Sequence, residues 1–211
     1  MTGSDPEEEA REAKHAGEPV RAGDAYTIWA YTNLSNRDLW EHPHDVFWAQ
    51  RAFADAVICY RLGGRHNRAL NRSKQGTLIG TDVAEQLPET FDPPLLYLVQ
   101  GTLAEYNGDL RLLAGREHVG RAYDRARARY TEAAEASESG TRFPLGDCEE
   151  QNDYSVLLFN ELVDVTGSSV EPVFRWDSGL TLSEWVDYKE EHLPGLVERL
   201  LDIGIEAYAE D

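Results

Sequence analysis

A wide apolar stripe of helical period between Val46 and Arg61 is the feature that most constrains how this 211-residue chain folds. Its large side chains recur at spacings of three, four and seven residues: Val46, Phe53, Val57 and Tyr60. Those spacings place the side chains on one side of an α-helix. Gly63 and Gly64 follow directly, and a helix commonly ends at glycine. The sequence therefore predicts a helix over residues 46–61 whose apolar side packs against other helices.

The same criteria predict helices in most of the remaining sequence. The segments with helical periodicity or strong helix formers are residues 67–79, 95–107, 116–137, 154–165 and 196–205. Asn107-Gly108 is expected to end one of them, and Pro194 is expected to break the last. Thr181 and Glu184 have the spacing of a capping box. The predicted fold class is all-α, built from antiparallel helical hairpins.

Domain organisation follows from the distribution of apolar residues. Residues 1–24 carry Glu7, Glu8 and Glu9 with little to bury, so they are expected to form a disordered acidic leader. Residues 26–31 are aromatic and fit either a strand or a helix, with neighbouring segments favouring helix. Residues 25–211 are expected to form a single α-helical domain.

Large and small residues alternate across two of the predicted hairpins in a way that resembles tetratricopeptide repeats. The first unit has large residues, a turn glycine and two small residues: Phe53, Tyr60, Gly64, Ala69 and Gly76. The second unit has a comparable set, with thirteen more residues between its turn and its second helix: Tyr97, Gly101, Gly108, Ala126, Tyr130 and Ala133. The resemblance implies stacked helix pairs over about residues 46–136. A generic helical bundle needs the same close helix contacts, so both architectures stay open.

The charge composition of the sequence indicates the cellular location and the salt concentration to which the protein is adapted. The sequence has 39 Asp and Glu against 20 basic residues, a formal net charge of −19, and Lys only at positions 14, 74 and 189. Acidic excess with few Lys resembles haloarchaeal cytoplasmic proteins, in which carboxylates keep the protein hydrated in concentrated salt. We therefore expect a cytoplasmic protein that does not bind membranes. The charge also disfavours nucleic acid as a partner, except through clustered arginines.

Two arginine clusters stand out against this acidic background. The candidate binding residues are Arg65, Arg68, Arg72, Arg121, Arg125 and Arg129. They could form a groove for an acidic peptide, a nucleotide or RNA, although pairing with carboxylates inside the chain is the favoured explanation. With motifs for chemistry absent, we expect a protein–protein interaction or scaffold module with a protein partner and no cofactor. A homodimer that associates through residues 196–205 is a further possibility.

The enzyme alternative is a helical hydrolase of one of two kinds. Arg61 and His66 have the Arg-x4-His spacing of HEPN-type ribonucleases, which this segment resembles, and the resemblance implies catalytic roles for both residues. Two features oppose it, because Leu62 replaces a polar residue and Gly63-Gly64 would break the helix. His42 and His44, beside acidic residues, are candidate metal ligands, and a polar helix N-terminus explains them as well.

Overall fold

The computed structural model describes residues 5–35, 43–87, 92–137 and 180–209. These ranges contain seven α-helices and no β-strand. The helices are α1 (Pro6–His15), α2 (Pro19–Leu34), α3 (Pro43–Leu62), α4 (His66–Gln86), α5 (Pro93–Leu113), α6 (Val119–Ala136) and α7 (Leu182–Ala209). The all-α prediction is confirmed. The helix predicted at 154–165 lies outside the described residues.

From α2 to α6, helices that are neighbours in sequence run antiparallel. In the α2–α3 pair, Gly63 lies against Val20 at one end, and Trp29 contacts Trp48 nearer the other, with ring centroids 6.1 Å apart. In the α4–α5 pair, Ser73 Oγ donates a hydrogen bond to the Leu110 carbonyl at 2.7 Å. The segment 26–31, which fits strand or helix by its sequence, lies within α2.

The turns after α1, α3 and α5 have the same hydrogen-bonded structure. In the first of them Gly17 has a φ of 73° and the Glu18 amide donates to the Ala13 carbonyl. Gly64 and Gly115 adopt positive φ angles of 68° and 65°, which glycine tolerates because it has no Cβ. After α3, the Arg65 amide donates to the Tyr60 carbonyl, and after α5 the Arg116 amide donates to the Arg111 carbonyl. These are Schellman motifs, which satisfy the last carbonyls of a helix. Gly64 is thus the turn residue that the sequence predicts.

The prediction that Asn107-Gly108 ends a helix is wrong. Both residues are buried inside α5, which continues to Leu113. Gly108 packs directly against the Tyr123 ring of α6, so closely that an added Cβ would collide with it. This packing overrides the local tendency of Asn-Gly to form a turn. The second hairpin therefore turns at Gly115, seven residues later.

The described part of the predicted disordered leader is helical. α1 begins at the Asp5 cap, whose carboxylate accepts a hydrogen bond from the Glu7 amide at 3.1 Å. Ala10 and Ala13 are fully buried in the main core, and α2 already begins at Pro19. The three consecutive glutamates suggested disorder, but they lie in the first turn of α1, where the helix dipole favours negative charge.

The capping box at the start of α7 is confirmed. The Thr181 amide donates to Glu184 Oε2 at 2.8 Å, and the Glu184 amide donates to Thr181 Oγ1 at 3.3 Å. Pro194, expected to break the helix, lies inside α7. A proline inside a helix costs about 3 kcal/mol, which the burial of neighbouring apolar side chains offsets.

The described part of the predicted dimer face belongs to the chain's own core. Leu196, Val197 and Leu201 are each at most 3% exposed and pack in the main apolar cluster. They are therefore not available to a second copy in this structure. Among the described helices, none has both the length and the apolar character needed to cross a bilayer.

The α5–α6 pair is held together by tyrosines that fit against glycines. Gly101 faces the Tyr130 ring and Gly108 faces the Tyr123 ring, so the two contacts recur seven residues apart on both helices. A methyl group at Gly101 would lie 2.6 Å from Tyr130 Cδ1, closer than carbon atoms approach. The missing side chains let the two helix backbones approach closely.

We expect Gly101→Ala to lower the free energy of unfolding by about 1–3 kcal/mol, because overpacking outweighs the helix propensity that alanine adds. Urea unfolding followed by circular dichroism measures the change. Gly195→Ala in α7 is the matched control, since nothing lies within 4 Å of the added methyl group. The control should be neutral or stabilising by up to about 1 kcal/mol. Equal effects of the two substitutions would contradict the packing assignment.

Candidate functional site

A cleft of about 550 Å³ lies between α4, α5 and α6. Four alanines from the three helices line it: Ala84, Ala104, Ala122 and Ala128. Because each ends at Cβ, the helices leave a groove where larger side chains would fill the space. The volume is within the range of small-molecule and peptide sites in proteins, about 300–1,000 Å³.

Amide side chains form one wall of the cleft. Gln100 Nε2 donates to the Ala84 carbonyl at 3.0 Å, and Asn107 Nδ2 donates to Thr81 Oγ1 at 3.2 Å. Asn107 Oδ1 in turn accepts a hydrogen bond from the buried Gln50 at 2.9 Å. Gln100 Oε1 is buried and accepts no hydrogen bond. A buried acceptor without a hydrogen bond costs about 1–3 kcal/mol, and an N–H or O–H group of a ligand would remove that cost.

Three arginines line the cleft without an anionic partner. Arg121 and Arg125 are one turn apart on α6, and Arg111 lies on α5. Within the described ranges, no ion pair joins any of the three to a carboxylate. Arg111 Nε is also buried without a hydrogen-bond acceptor. Free guanidinium groups in a chain of net charge −19 make the cleft a local site of positive charge.

The opposite end of the cleft has mixed charge. Arg129 pairs with Glu132 on the same helix and lies 5.6 Å from the centroid of the Tyr97 ring. Glu85 of α4 also lines this part. The cleft is therefore polarised along its length, with free arginines towards the Arg111 end and carboxylates towards the Glu85 end. A bound segment would experience this gradient, which favours one orientation over the reverse.

The other predicted binding arginines lie outside the cleft. Arg68 pairs with Asp24 at 2.9 Å and stacks near Tyr60. Arg72 donates to Gln75 on the same helix. Arg65 precedes α4 and is exposed. The structure thus brings Arg121, Arg125 and Arg129 to one site and leaves Arg65, Arg68 and Arg72 near the start of α4, so the two clusters do not line a common groove.

The candidate catalytic pair is divided between two helices. Arg61, half-buried near the end of α3, donates to the Leu113 carbonyl at 2.7 Å and so satisfies the end of α5. Burial lowers the pKa of Arg61, and the charge of Glu198 opposes that change. His66 is exposed as the first residue of α4, beyond the Gly63-Gly64 turn. Arg61 therefore has a structural role here that the HEPN resemblance does not imply.

The candidate metal ligands fall at the edge of the described structure. His42 lies outside the described residues, and His44 lies in the first turn of α3 without a described side chain. Among the residues that are described, no group of three or more His, Cys, Asp or Glu side chains is arranged to hold a metal ion.

A buried charged cluster lies on the other side of α5. Lys189 Nζ of α7 contacts Glu105 Oε1 at 2.7 Å and Asp109 Oδ2 at 2.6 Å. The hydroxyl of Tyr130 donates to Glu105 at 2.6 Å, and that of Tyr123 donates to Asp109 at 2.8 Å. All five residues are at most 5% exposed. We refer to these residues as the Lys189 cluster.

Four residues of the Lys189 cluster have raised pKa values: Lys189, Asp109, Tyr123 and Tyr130. Burial lowers the pKa of Lys189, but the negative charges of Asp109 and Glu105 outweigh burial and leave it raised. Burial raises the pKa of Asp109 despite the nearby ammonium group. Burial and the adjacent carboxylates raise the pKa values of Tyr123 and Tyr130 well above the ordinary value. The folded protein therefore holds protons at this cluster more tightly than the unfolded chain does.

Sequence reasoning missed several of these residues. A helix that ends at residue 107 excludes Arg111, and it leaves Gln100 and Asn107 without the continuing side on which the cleft forms. Continued to Leu113, the helix places residues 100, 104, 107 and 111 on one side by its 3.6-residue period. Lys189 carried a weaker signal, since it is one of only three Lys in the chain.

We expect Lys189→Met to lower the free energy of unfolding by about 3–5 kcal/mol near neutral pH, because it leaves two buried carboxylates without a counter-charge. The loss should be smaller in acid, because Asp109, whose pKa is raised by burial, becomes protonated there. Urea unfolding at both pH values measures this difference. Lys74→Met, at an exposed position of α4, is the control and should change little. A loss that does not depend on pH would contradict the charge-pairing explanation.

The Lys189 cluster should also control alkaline unfolding. A group with a raised pKa in the folded state contributes stability below its unfolded pKa and loses that contribution as pH rises through its folded pKa. Unfolded values are 10.5 for Lys and 10.0 for Tyr, so stability should fall above about pH 10. Tyrosinate absorbance should show Tyr123 and Tyr130 ionising only with unfolding. If the single variants Tyr123→Phe and Tyr130→Phe leave the late, unfolding-linked part of the titration unchanged, the assignment is wrong.

Comparisons with known proteins leave the cleft to be interpreted from its own residues. No protein-family model, no curated protein and no solved structure matches this chain.

Proposed function

We propose that this protein is an interaction module whose cleft between α4, α5 and α6 binds an acidic segment of a partner protein. The observation that carries the proposal is the set of three cleft-lining guanidinium groups without carboxylate partners in the described chain: Arg111, Arg121 and Arg125. Other arginines of this acidic chain, such as Arg68 and Arg127, pair with its own carboxylates. The unpaired three therefore suit anions from another molecule.

The dimensions of the cleft suit an extended peptide. Gln100 and Arg111 mark its two ends on α5, and eleven residues of helix span about 16 Å. An extended chain advances about 3.3 Å per residue, so about five residues would reach from one end to the other. The buried Gln100 Oε1 would accept a backbone N–H, while the arginines would bind carboxylates. A bound segment would thus provide a donor for Gln100 Oε1 and carboxylates for the arginines at the same time.

The proposal also covers where the protein works. The acidic, Lys-poor composition supports a cytoplasmic protein adapted to concentrated salt.

The architecture of the proposed module is a pair of tetratricopeptide-like hairpins, α3–α4 and α5–α6, with Gly115 as the second turn residue. The contacts of Phe53 with Gly76 and of Tyr130 with Gly101 support this assignment. In that arrangement the binding cleft lies where the first hairpin meets the second.

The proposal is tested with a fluorescent hexaglutamate peptide in the lowest KCl concentration at which circular dichroism shows the fold intact. We expect Arg125→Gln to weaken binding by at least about tenfold, because one charged hydrogen bond contributes about 1.5–3 kcal/mol. Arg65→Gln is the matched control, since Arg65 is exposed and outside the cleft. Added KCl should weaken binding further. Absence of binding, or equal effects of the two substitutions, would refute the proposal.

A further inference from the structure

The Arg111 end of the cleft holds more positive charge than one carboxylate can neutralise. Arg111, Arg121 and Arg125 have no ion pair in the described structure, whereas His118, which lines the same end, lies 4.0 Å from Glu117. Arg116 lies alongside and donates only to the neutral hydroxyls of Ser73 and Thr77, at 3.1 and 3.2 Å. Several cationic groups from α5, the following turn and α6 are therefore concentrated in one place.

Arg111 and Arg116 are close enough to repel each other. Burial lowers the pKa of Arg116, and the charge of Arg111 lowers it further. The described residues that face this pair from α4 are Ser73, Thr77 and Thr81, which are uncharged. Like charges held together without a neutralising carboxylate are unfavourable in the free protein. Binding of an anion would relieve that repulsion.

The geometry also favours an anion with several acceptor oxygens. A carboxylate has two oxygens and one negative charge, which suits one guanidinium fork. A phosphomonoester carries a charge of about −1.5 to −2 and three strong acceptor oxygens, so it can accept from two or three arginines at once. Arg111 lies on α5 and the pair of Arg121 and Arg125 lies on α6, so the donors approach from two helices. Buried Arg111 Nε is a further donor without an acceptor.

We propose that the Arg111 end of the cleft is a phosphoryl subsite, and that the partner segment is phosphorylated on a serine or threonine. This inference rests on the proposed function, since it assigns the chemistry of one residue within the bound segment. The phosphoryl group binds between Arg111, Arg121 and Arg125. The backbone of the segment then extends along the alanine-lined part of the cleft towards Gln100, about five residues away.

Binding is measured by fluorescence anisotropy with three octapeptides of Glu and Gly that differ at one internal position, which is phosphoserine, glutamate or serine. We expect the phosphoserine peptide to bind about tenfold more tightly than the glutamate peptide, and the serine peptide to bind most weakly. Arg111→Gln should reduce the preference for phosphoserine over glutamate to about twofold or less. Arg65→Gln should retain the full preference.

Arg111→Lys separates charge from geometry. Lysine keeps the positive charge but lacks the planar fork, so this variant should bind the glutamate peptide nearly as well as the original protein does. It should lose most of the preference for phosphoserine. Circular dichroism and thermal unfolding confirm that each variant is folded before binding is compared, and Arg121→Gln provides a second, exposed position for the same test.

The outcomes distinguish this inference from the proposed function. Equal binding of the phosphoserine and glutamate peptides would refute the phosphoryl subsite and leave the acidic-segment function intact. If none of the three peptides binds, both proposals fail. Binding of inorganic pyrophosphate or an oligoribonucleotide with no binding of the phosphopeptide would overturn both in favour of a non-peptide ligand.

Discussion

The rest of the fold depends on the buried contact of Lys189 with Glu105 and Asp109. An ammonium and two carboxylates removed from water are tolerated only when each has partners, and Tyr123, Tyr130 and Trp185 supply the remaining hydrogen bonds. These residues belong to α5, α6 and α7, so the cluster fixes the position of α7 against a hairpin that lies far from it in the sequence. The same need for complete pairing makes any partial opening of this region costly.

The Lys189 cluster and the cleft occupy opposite sides of the same two helices. By the helical period, residues 105 and 109 lie across α5 from residues 100, 104, 107 and 111. Likewise, Tyr123 and Tyr130 lie across α6 from Arg121, Arg125 and Arg129. The glycine–tyrosine contacts and the buried charges set the spacing of α5 and α6, and this spacing determines the width of the cleft. A rigid support of this kind lowers the entropy lost when a ligand binds.

Local sequence signals predicted local structure well. Helical periodicity placed α3 within about three residues at its start, Gly64 was identified as a turn residue, and the Thr181–Glu184 capping box formed as expected. The errors at Asn107-Gly108, Pro194 and residues 5–24 share a cause: packing overrode a local tendency to turn, break or unfold. Lys189 and Glu105 are 84 residues apart, and no periodicity reveals such a pair.

Three arginines that line the cleft, Arg111, Arg121 and Arg125, have no carboxylate partner within the described residues. The most direct measurement follows the Nε–Hε NMR signals of the arginines, assigned with single Arg→Lys variants, during titration with an acidic peptide. We expect the signals of Arg111, Arg121 and Arg125 to shift with one common affinity, while those of Arg68 and Arg127 stay unchanged because carboxylates already pair with them. Small uniform shifts of all arginines, or shifts centred on Arg68, would contradict the assignment of the cleft as the binding site.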